Sequence, residues 1–196
     1  GLVRDDARVA VERSLAADEN IRESTRSTDF MAPTTKQEAR LRQAVLTLAK
    51  DTDFGKRMIN GGRLSTPSTY DTPLSTPDAD AWSGGPRPGA SMPDAPLRTR
   101  AGADTFLTEA FSAADKTFTL LQFANGQASD IPDAVQSIRI GEDADLIDAT
   151  GAASTRYDAR PGTAYLLRPD GYVAARFRHL SRAAVEAALA RASAAN

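Results

Sequence analysis

The sequence predicts an α/β protein in which a C-terminal domain over residues 101–196 carries a mixed central sheet, preceded by a helical arm over 1–63 and an extended Pro/Gly-rich connector over 64–100. Three observations predict it. Apolar residues of the first third recur at helical spacing, the middle stretch from Leu64 to Leu97 holds 7 of the chain's 11 prolines, and the last hundred residues alternate strand-like runs with helical ones.

In the arm, Val3, Ala7, Ala10, Val11 and Leu15 fall three and four residues apart, a stripe for one partner surface. The stripe fades after Ile21. Thr35-Lys-Gln-Glu38 fits a capping box, in which hydroxyl and carboxylate satisfy each other's unpaired backbone donors, and Leu41, Val45 and Leu48 supply the apolar face of the helix that follows. Asp53 is expected to cap a further short helix through Met58, ended by the Asn-Gly-Gly at 60–62. These helices do not make a core by themselves; they call for a surface outside the arm.

The connector's prolines block regular ladders. Its Tyr70, Leu74, Trp82, Met92 and Leu97 are more apolar anchors than a solvated linker carries, so it is expected to lie along a protein surface.

In the C-terminal domain, "FTLLQF" (118–123) is nearly continuous apolar sequence, as a strand covered on both faces would be. "SIRI" (137–140) sets Ile138 and Ile140 on one side, after a short polar crossover from Asn125 to Ala134. The acidic loop "GEDADLIDATG" that follows does not have calcium-loop spacing and reads as solvated. "TAYLLRPDGYVAARF" (163–177) is an antiparallel hairpin: Pro169 pre-sets the turn, Asp170 accepts its next position and Gly171 its left-handed one. Val173, Ala175 and Phe177 are expected on one face, opposite Tyr172, Ala174, Arg176 and Arg178. Ser181 caps the last helix, Leu180 staples onto Val185, and Val185, Ala188, Leu189 and Ala192 form its buried stripe.

Composition removes most familiar chemistry. With no cysteine there is no disulfide, thiolate or Cys-bound metal, and His179 is the single histidine. It reads as a polar residue at a strand end. The "GPRPG" and "NGGR" stretches do not sit as phosphate loops between strand and helix, and Ser65, Ser68 and Ser75 have no histidine in sequence reach. Asp143, Asp145 and Asp148 could form an acid/base pair, but their sequence surroundings offer nothing apolar to shift a pKa. A net charge of −2 gives no field for nucleic acid or anionic membrane, and no run is long enough to span a bilayer. The chain is expected to be cytoplasmic, and its opening at Gly1 inside a helical pattern predicts that it is part of a longer polypeptide. On the residues alone it is a binding, docking or dimerisation module with no self-contained active site.

The order strand, crossover, strand, loop ending at Pro161, hairpin and helix resembles the thioredoxin fold, whose cis-proline would fall near Pro161 and whose dithiol is missing here. The three zones together resemble the C-terminal region of FAD-dependent aromatic hydroxylases of the phenol hydroxylase and 3-(3-hydroxyphenyl)propionate hydroxylase group. "VAVERSLAA", with Glu12 and Arg13, looks like the helix closing the flavin domain; "GGRLSTPSTYDTPL" looks like the segment leaving it. "PRPGASMPDAPL" looks like the turn into the last domain, and "YLLRPDGYVAARF" like that domain's hairpin. Ser91 replaces an arginine common in the family, and Val9 an aromatic.

The resemblance implies a parent enzyme that hydroxylates a phenolic ring using FAD and NAD(P)H. The dinucleotide GxGxxG and the family's Gly-Asp flavin motif would lie upstream of Gly1, so it implies no cofactor in this piece and carries over no catalytic, cofactor-binding or metal residue. The implied partners are the upstream flavin-binding domain and a second copy in a homodimer. The competing reading is a free-standing thioredoxin-like module that binds a protein partner without redox activity.

Overall fold

The computed structural model describes residues 10, 14, 17–22, 24–25, 28–59, 68–112, 114, 117–123 and 131–193. Tertiary contacts divide the chain into two compact units with the boundary between Ser68 and Thr69.

The first unit is helical. Helix α1 (Lys36–Asp51) starts on the expected capping box: the Thr35 hydroxyl accepts from Glu38 N at 3.2 Å, and Glu38 Oε2 accepts from Thr35 N at 2.9 Å and Thr34 N at 2.8 Å. These backbone donors, Thr35 first, hold the Glu38 carboxyl below its usual range. Helix α2 (Asp53–Ile59) is capped one residue earlier than expected, by Thr52 Oγ1, which accepts from Gly55 N at 3.0 Å. Asp53 lies in its first turn, where a carboxylate favours the helix dipole. On the α1 apolar face Val45 is buried, while Leu41 and Leu48 are 61% and 41% exposed and Phe54 on α2 is 59% exposed. Apart from Ala10, which is helical and exposed, the Val3–Leu15 stripe lies outside the described residues, as do Glu12, Arg13 and the glycines at 61–62.

The second unit is built on one seven-stranded mixed sheet. Its strands are β1 (Pro96–Thr99), β2 (Asp104–Phe106), β3 (Thr119–Phe123), β4 (Gln136–Ile140), β5 (Leu146–Ile147), β6 (Ala164–Leu167) and β7 (Val173–Phe177), in the order β2-β1-β5-β4-β3-β6-β7. Strand β4 is parallel to β3 and β5, while the β3–β6, β6–β7, β5–β1 and β1–β2 pairs are antiparallel. Helices α3 (Leu107–Ser112), α4 (Ala152–Arg156) and α5 (Arg182–Ala192) complete the unit.

Every residue of β3 is buried, so both sheet faces are covered. Leu121, Phe123, Ile138, Ile140, Tyr165 and Leu167 face one apolar layer; Leu120, Ala164, Leu166, Phe177 and the α5 residues Val185 and Ala188 face the other. The expected cap holds, with Ser181 Oγ accepting from Ala184 N at 3.3 Å.

Two expectations are corrected. The connector does not stay irregular to residue 100, because Pro96–Thr99 joins the sheet between β2 and β5; Pro96 opens the strand, the position a proline tolerates. Nor do Val173, Ala175 and Phe177 share a face. The hairpin register shifts from Leu166↔Ala175 to Leu167↔Val173, leaving Ala174 as an extra residue. This bulge turns Val173 into the first layer and puts Ala174 beside Ala175 in the second, where two methyl side chains fit together. The turn is as expected: Gly171 N donates to Arg168 O at 2.9 Å, with Gly171 at φ 81°.

The bulge also serves the connector. Residues 69–95 run as a strap along the outer edge of β7: Thr76 N donates to Ala174 O at 2.8 Å, Gly89 N to Val173 O at 2.7 Å, Val173 N to Ala90 O at 2.8 Å and Met92 N to Gly171 O at 2.8 Å. The edge is thereby closed. Gly89, at φ 87°, sits so close to the strap's own start that a Cβ there would lie 1.8 Å from Tyr70 O.

Gly89→Ala is therefore expected to destabilise the second unit by about 3 kcal/mol or more, through both clash and left-handed strain, as read from the urea midpoint. Phe177→Ala is expected to cost about 3 kcal/mol, the lower range for an aromatic core truncation because its rim is accessible; a loss below about 1 kcal/mol would contradict its place in the second layer.

Candidate functional site

Polar chemistry in the second unit concentrates where the strap meets the outgoing end of β7. Arg176 on β7 and Arg178 just past its end project together, and Trp82 of the strap lies within cation–π distance of both, 4.3 Å and 3.6 Å from guanidinium carbon to ring centroid. Each guanidinium has its own carboxylate. Arg176 holds Asp78 with two bonds, Nε to Oδ1 at 2.8 Å and Nη2 to Oδ2 at 2.6 Å, and its Nη1 reaches Gly84 O at 2.9 Å. Burial works against the Arg176 charge, but the Asp78 pair outweighs it and raises the pKa.

Arg178 holds Asp158 through both its carboxylate and its backbone carbonyl. Asp158 presents the two acceptors together because it adopts φ 46°, a left-handed conformation that aspartate tolerates better than most side chains. The same carboxylate accepts from Ser83 N at 3.0 Å and Gly84 N at 3.3 Å, so it ties strap, α4 exit and β7 into one knot. Asp80 adds a bond from the strap, accepting from Arg178 N at 3.0 Å.

Beneath the knot, Trp82, Tyr165, Tyr157 and Phe123 form a continuous aromatic row with successive centroids 5.6, 5.0 and 5.5 Å apart. Tyr165 OH donates to Tyr157 O and Tyr157 OH to Pro93 O at 2.7 Å. Burial pushes the Tyr165 phenol up to about 12 and raises Tyr157 further. The row stays neutral and the arginines are saturated by carboxylates and carbonyls. Such an arrangement binds and fixes; it holds no proton ready to move near neutral pH.

A second concavity, a cleft of about 240 Å³, opens at the carboxyl ends of β3 and β4. Glu142, Asp148 and Arg160 contribute its charges and Phe123, Ile140 and Pro161 its apolar wall. Asp148, which sequence left open as an acid or base, is a helix cap: Oδ1 accepts from Ala153 N at 3.3 Å and Oδ2 from Ser154 N at 2.8 Å. Asp143 and Asp145 are exposed, and so is His179. The peptide bond before Pro161 is trans, unlike the cis-proline that the thioredoxin comparison led us to expect. Of the crossover expected from Asn125 to Ala134, residues 125–130 lie outside the described residues.

Sequence reading identified Trp82 as an anchor but did not join it to Arg176 and Arg178. The available signal was a lone tryptophan in a proline-rich segment and two arginines spaced i and i+2 at the end of a strand.

The Ser83 and Gly84 backbone donors and Arg178 hold the Asp158 carboxyl below its usual range. A depressed folded pKa means its stabilisation is present above the unfolded value near pH 4 and is lost as pH falls through the lower folded value. Asp158→Asn is accordingly expected to lower the urea midpoint at pH 6, with the gap to wild type closing as pH is taken below about 4.

The aromatic-ring hydroxylase C-terminal family matches residues 85–195 of the chain. Among solved structures, the flavin-dependent monooxygenase PieE in complex with FAD and substrate is 23% identical with a TM-score of 0.57, over 86% of this chain and 32% of that one. Aklavinone-11 hydroxylase with FAD and aklavinone is 20% identical with a TM-score of 0.52, over 78% and 34%. The rebeccamycin biosynthetic enzyme RebC with reduced flavin is 18% identical with a TM-score of 0.56, over 94% and 35%. The chain thus shares their fold and spans about a third of their length. No curated protein sequence matches it significantly. With its mixed seven-stranded sheet and a family match across more than half its length, the chain belongs to the aromatic-ring hydroxylase C-terminal family.

Proposed function

We propose that this chain is the C-terminal, non-catalytic portion of a FAD-dependent, NAD(P)H-using aromatic-ring monooxygenase, in which residues 1–63 buttress the flavin domain and residues 101–196 form a thioredoxin-like cap that supports assembly as a homodimer. The observation that carries it is the family match over residues 85–195, joined to a fold shared with one third of several flavin monooxygenases. Two further features support it. Leu41, Leu48 and Phe54 present apolar surface that a separate flavin domain would cover, and the strap knot spends its arginines on internal carboxylates.

The residues described do not suit FAD. The cleft at the ends of β3 and β4 presents two carboxylates, Glu142 and Asp148, against the one cation Arg160, and Asp148 already occupies the first turn of α4 where a phosphate would seek backbone donors. No step of hydroxylation is assigned to this chain; its part is to hold structure around a flavin bound elsewhere.

Purified natural polypeptide containing these residues is expected to be yellow and to oxidise NAD(P)H when given oxygen and a phenolic substrate. Residues 1–196 alone are expected to be colourless and to leave NAD(P)H unchanged. Flavin retained by 1–196 alone, or a natural polypeptide without flavin, would overturn the reading.

A further inference from the structure

With no cysteine in the chain, the thiol that would take up oxidising equivalents first is missing, and the four tyrosines and Trp82 are the groups from which a one-electron oxidant draws. The tyrosines fall into two pairs. Tyr157 and Tyr165 are fully buried, their rings meet edge to face at 81°, and their hydroxyls donate to separate carbonyls, Pro93 O and Tyr157 O. That pair gives an oxidant no access and holds its two phenol oxygens on different acceptors.

Tyr70 and Tyr172 differ on each count. Both are half-buried, their ring centroids are 4.7 Å apart and their planes are tilted by 35°. A hydrogen bond joins the two side chains, so the hydroxyl ends of the rings, with the ortho carbons that flank each hydroxyl, lie side by side. Burial first, and then this bond, hold the Tyr172 phenol above its usual range, so it keeps its proton at neutral pH. The backbones are fixed as well. Tyr70 N donates to Gly89 O at 2.8 Å, Tyr172 O accepts from Arg168 N at 2.8 Å, and Tyr172 bridges Ser91 of the strap. Trp82, the other oxidisable ring, has guanidinium carbons 4.3 Å and 3.6 Å from its centroid, and their charge opposes loss of an electron there. Arg168 lies farther from the Tyr172 ring, at 5.8 Å, and a phenol sheds its proton with the electron, so no positive charge is left beside that arginine.

We propose that Tyr70 and Tyr172 are an oxidative cross-linking site, at which a peroxidase with hydrogen peroxide joins the two rings as dityrosine and ties the start of the strap to the residue before β7. Each phenol gives up one electron and one proton. The two radicals couple through an ortho carbon of each ring, and the hydrogens on those carbons move to the oxygens as the rings regain aromaticity. Two electrons and two protons thus pass to one hydrogen peroxide, which leaves as two waters. Closure of the β7 edge, otherwise held by hydrogen bonds from Gly171 to Ala174, becomes covalent at its first turn. The inference goes beyond the flavin reading above and rests only on groups of the second unit.

The test treats the full 196-residue chain, at high dilution, with a haem peroxidase and hydrogen peroxide, and reads dityrosine fluorescence, intact mass and the joined peptides. The expected product has the mass of a single chain less two hydrogens, and its joined peptides carry Tyr70 and Tyr172. Tyr70→Phe and Tyr172→Phe keep each ring in its packing and are each expected to lower the fluorescence yield about tenfold or more, because the surviving phenol has no second radical beside it. The cross-linked chain is expected to unfold at higher urea than the untreated one, since the bond restricts the unfolded chain. The proposal fails if no cross-link forms, if cross-links form only between chains, if the joined peptides lack either residue, if oxygen is added at Trp82 in place of a cross-link, or if both phenylalanine variants give the wild-type yield.

Discussion

The second unit depends on how the outer edge of β7 is closed. A strand at the end of a seven-stranded sheet exposes a row of backbone donors and acceptors, and such a row invites pairing with other chains. Here the strap occupies it, with hydrogen bonds distributed from Gly171 to Ala174. The bulge at Ala174 makes this possible, since the added residue turns a carbonyl toward Thr76 while both flanking layers remain filled. The opposite edge is handled differently. Strand β2 has three residues, and Glu109 accepts from the Phe106 amide at 3.2 Å, leaving little ladder to extend.

Backbone pairing alone would let a proline-rich strap slide, because one register of an irregular segment costs about as little as the next. The knot at Trp82 removes that freedom. Arg176 donates to both carboxylate oxygens of Asp78, Arg178 to the two acceptors that Asp158 presents from its left-handed conformation, and the indole lies within reach of both guanidiniums. Partly buried ion pairs gain little net stability once desolvation is counted, so their contribution here is to select a single register. Gly89 fixes the same register by contact, since only a residue without a Cβ passes Tyr70 O.

What was legible in the sequence was local. The capping box at Thr35 and Glu38, the Pro169-Asp170-Gly171 turn, the buried run of β3 and the Ser181 cap each satisfy donors or dihedrals within a few residues, and each stands where its signal placed it. The strands at Pro96–Thr99 and Asp104–Phe106 were not legible, because both are too short to show a period and the first begins inside a proline-rich segment. The bulge was missed for a related reason: alternation over Val173–Phe177 is ambiguous when two of the five residues are alanine. The knot was the least legible of all, joining residues 98 positions apart from Asp78 to Arg176, and the cap role of Asp148 depended on a helix that five small or polar residues do not announce.

The two units also differ in how far their apolar faces are covered among the described residues. In the second, apolar side chains close into two layers on either side of the sheet, Arg176 and Arg178 each hold a carboxylate at the strap, and buried Arg168 holds Asp170 in the turn. In the first, α1 has strong local determinants at its start yet buries only Val45 among its residues, with Leu41 and Leu48 left on the surface. A helix of 16 residues draws most of its stability from tertiary packing of its apolar face, so the cap at Thr35 and Glu38 contributes an unusually large share of what holds α1 among the described residues. The asymmetry is thus one of packing: the second unit closes two apolar layers around its sheet and strap, whereas the apolar face of α1 stays open apart from Val45.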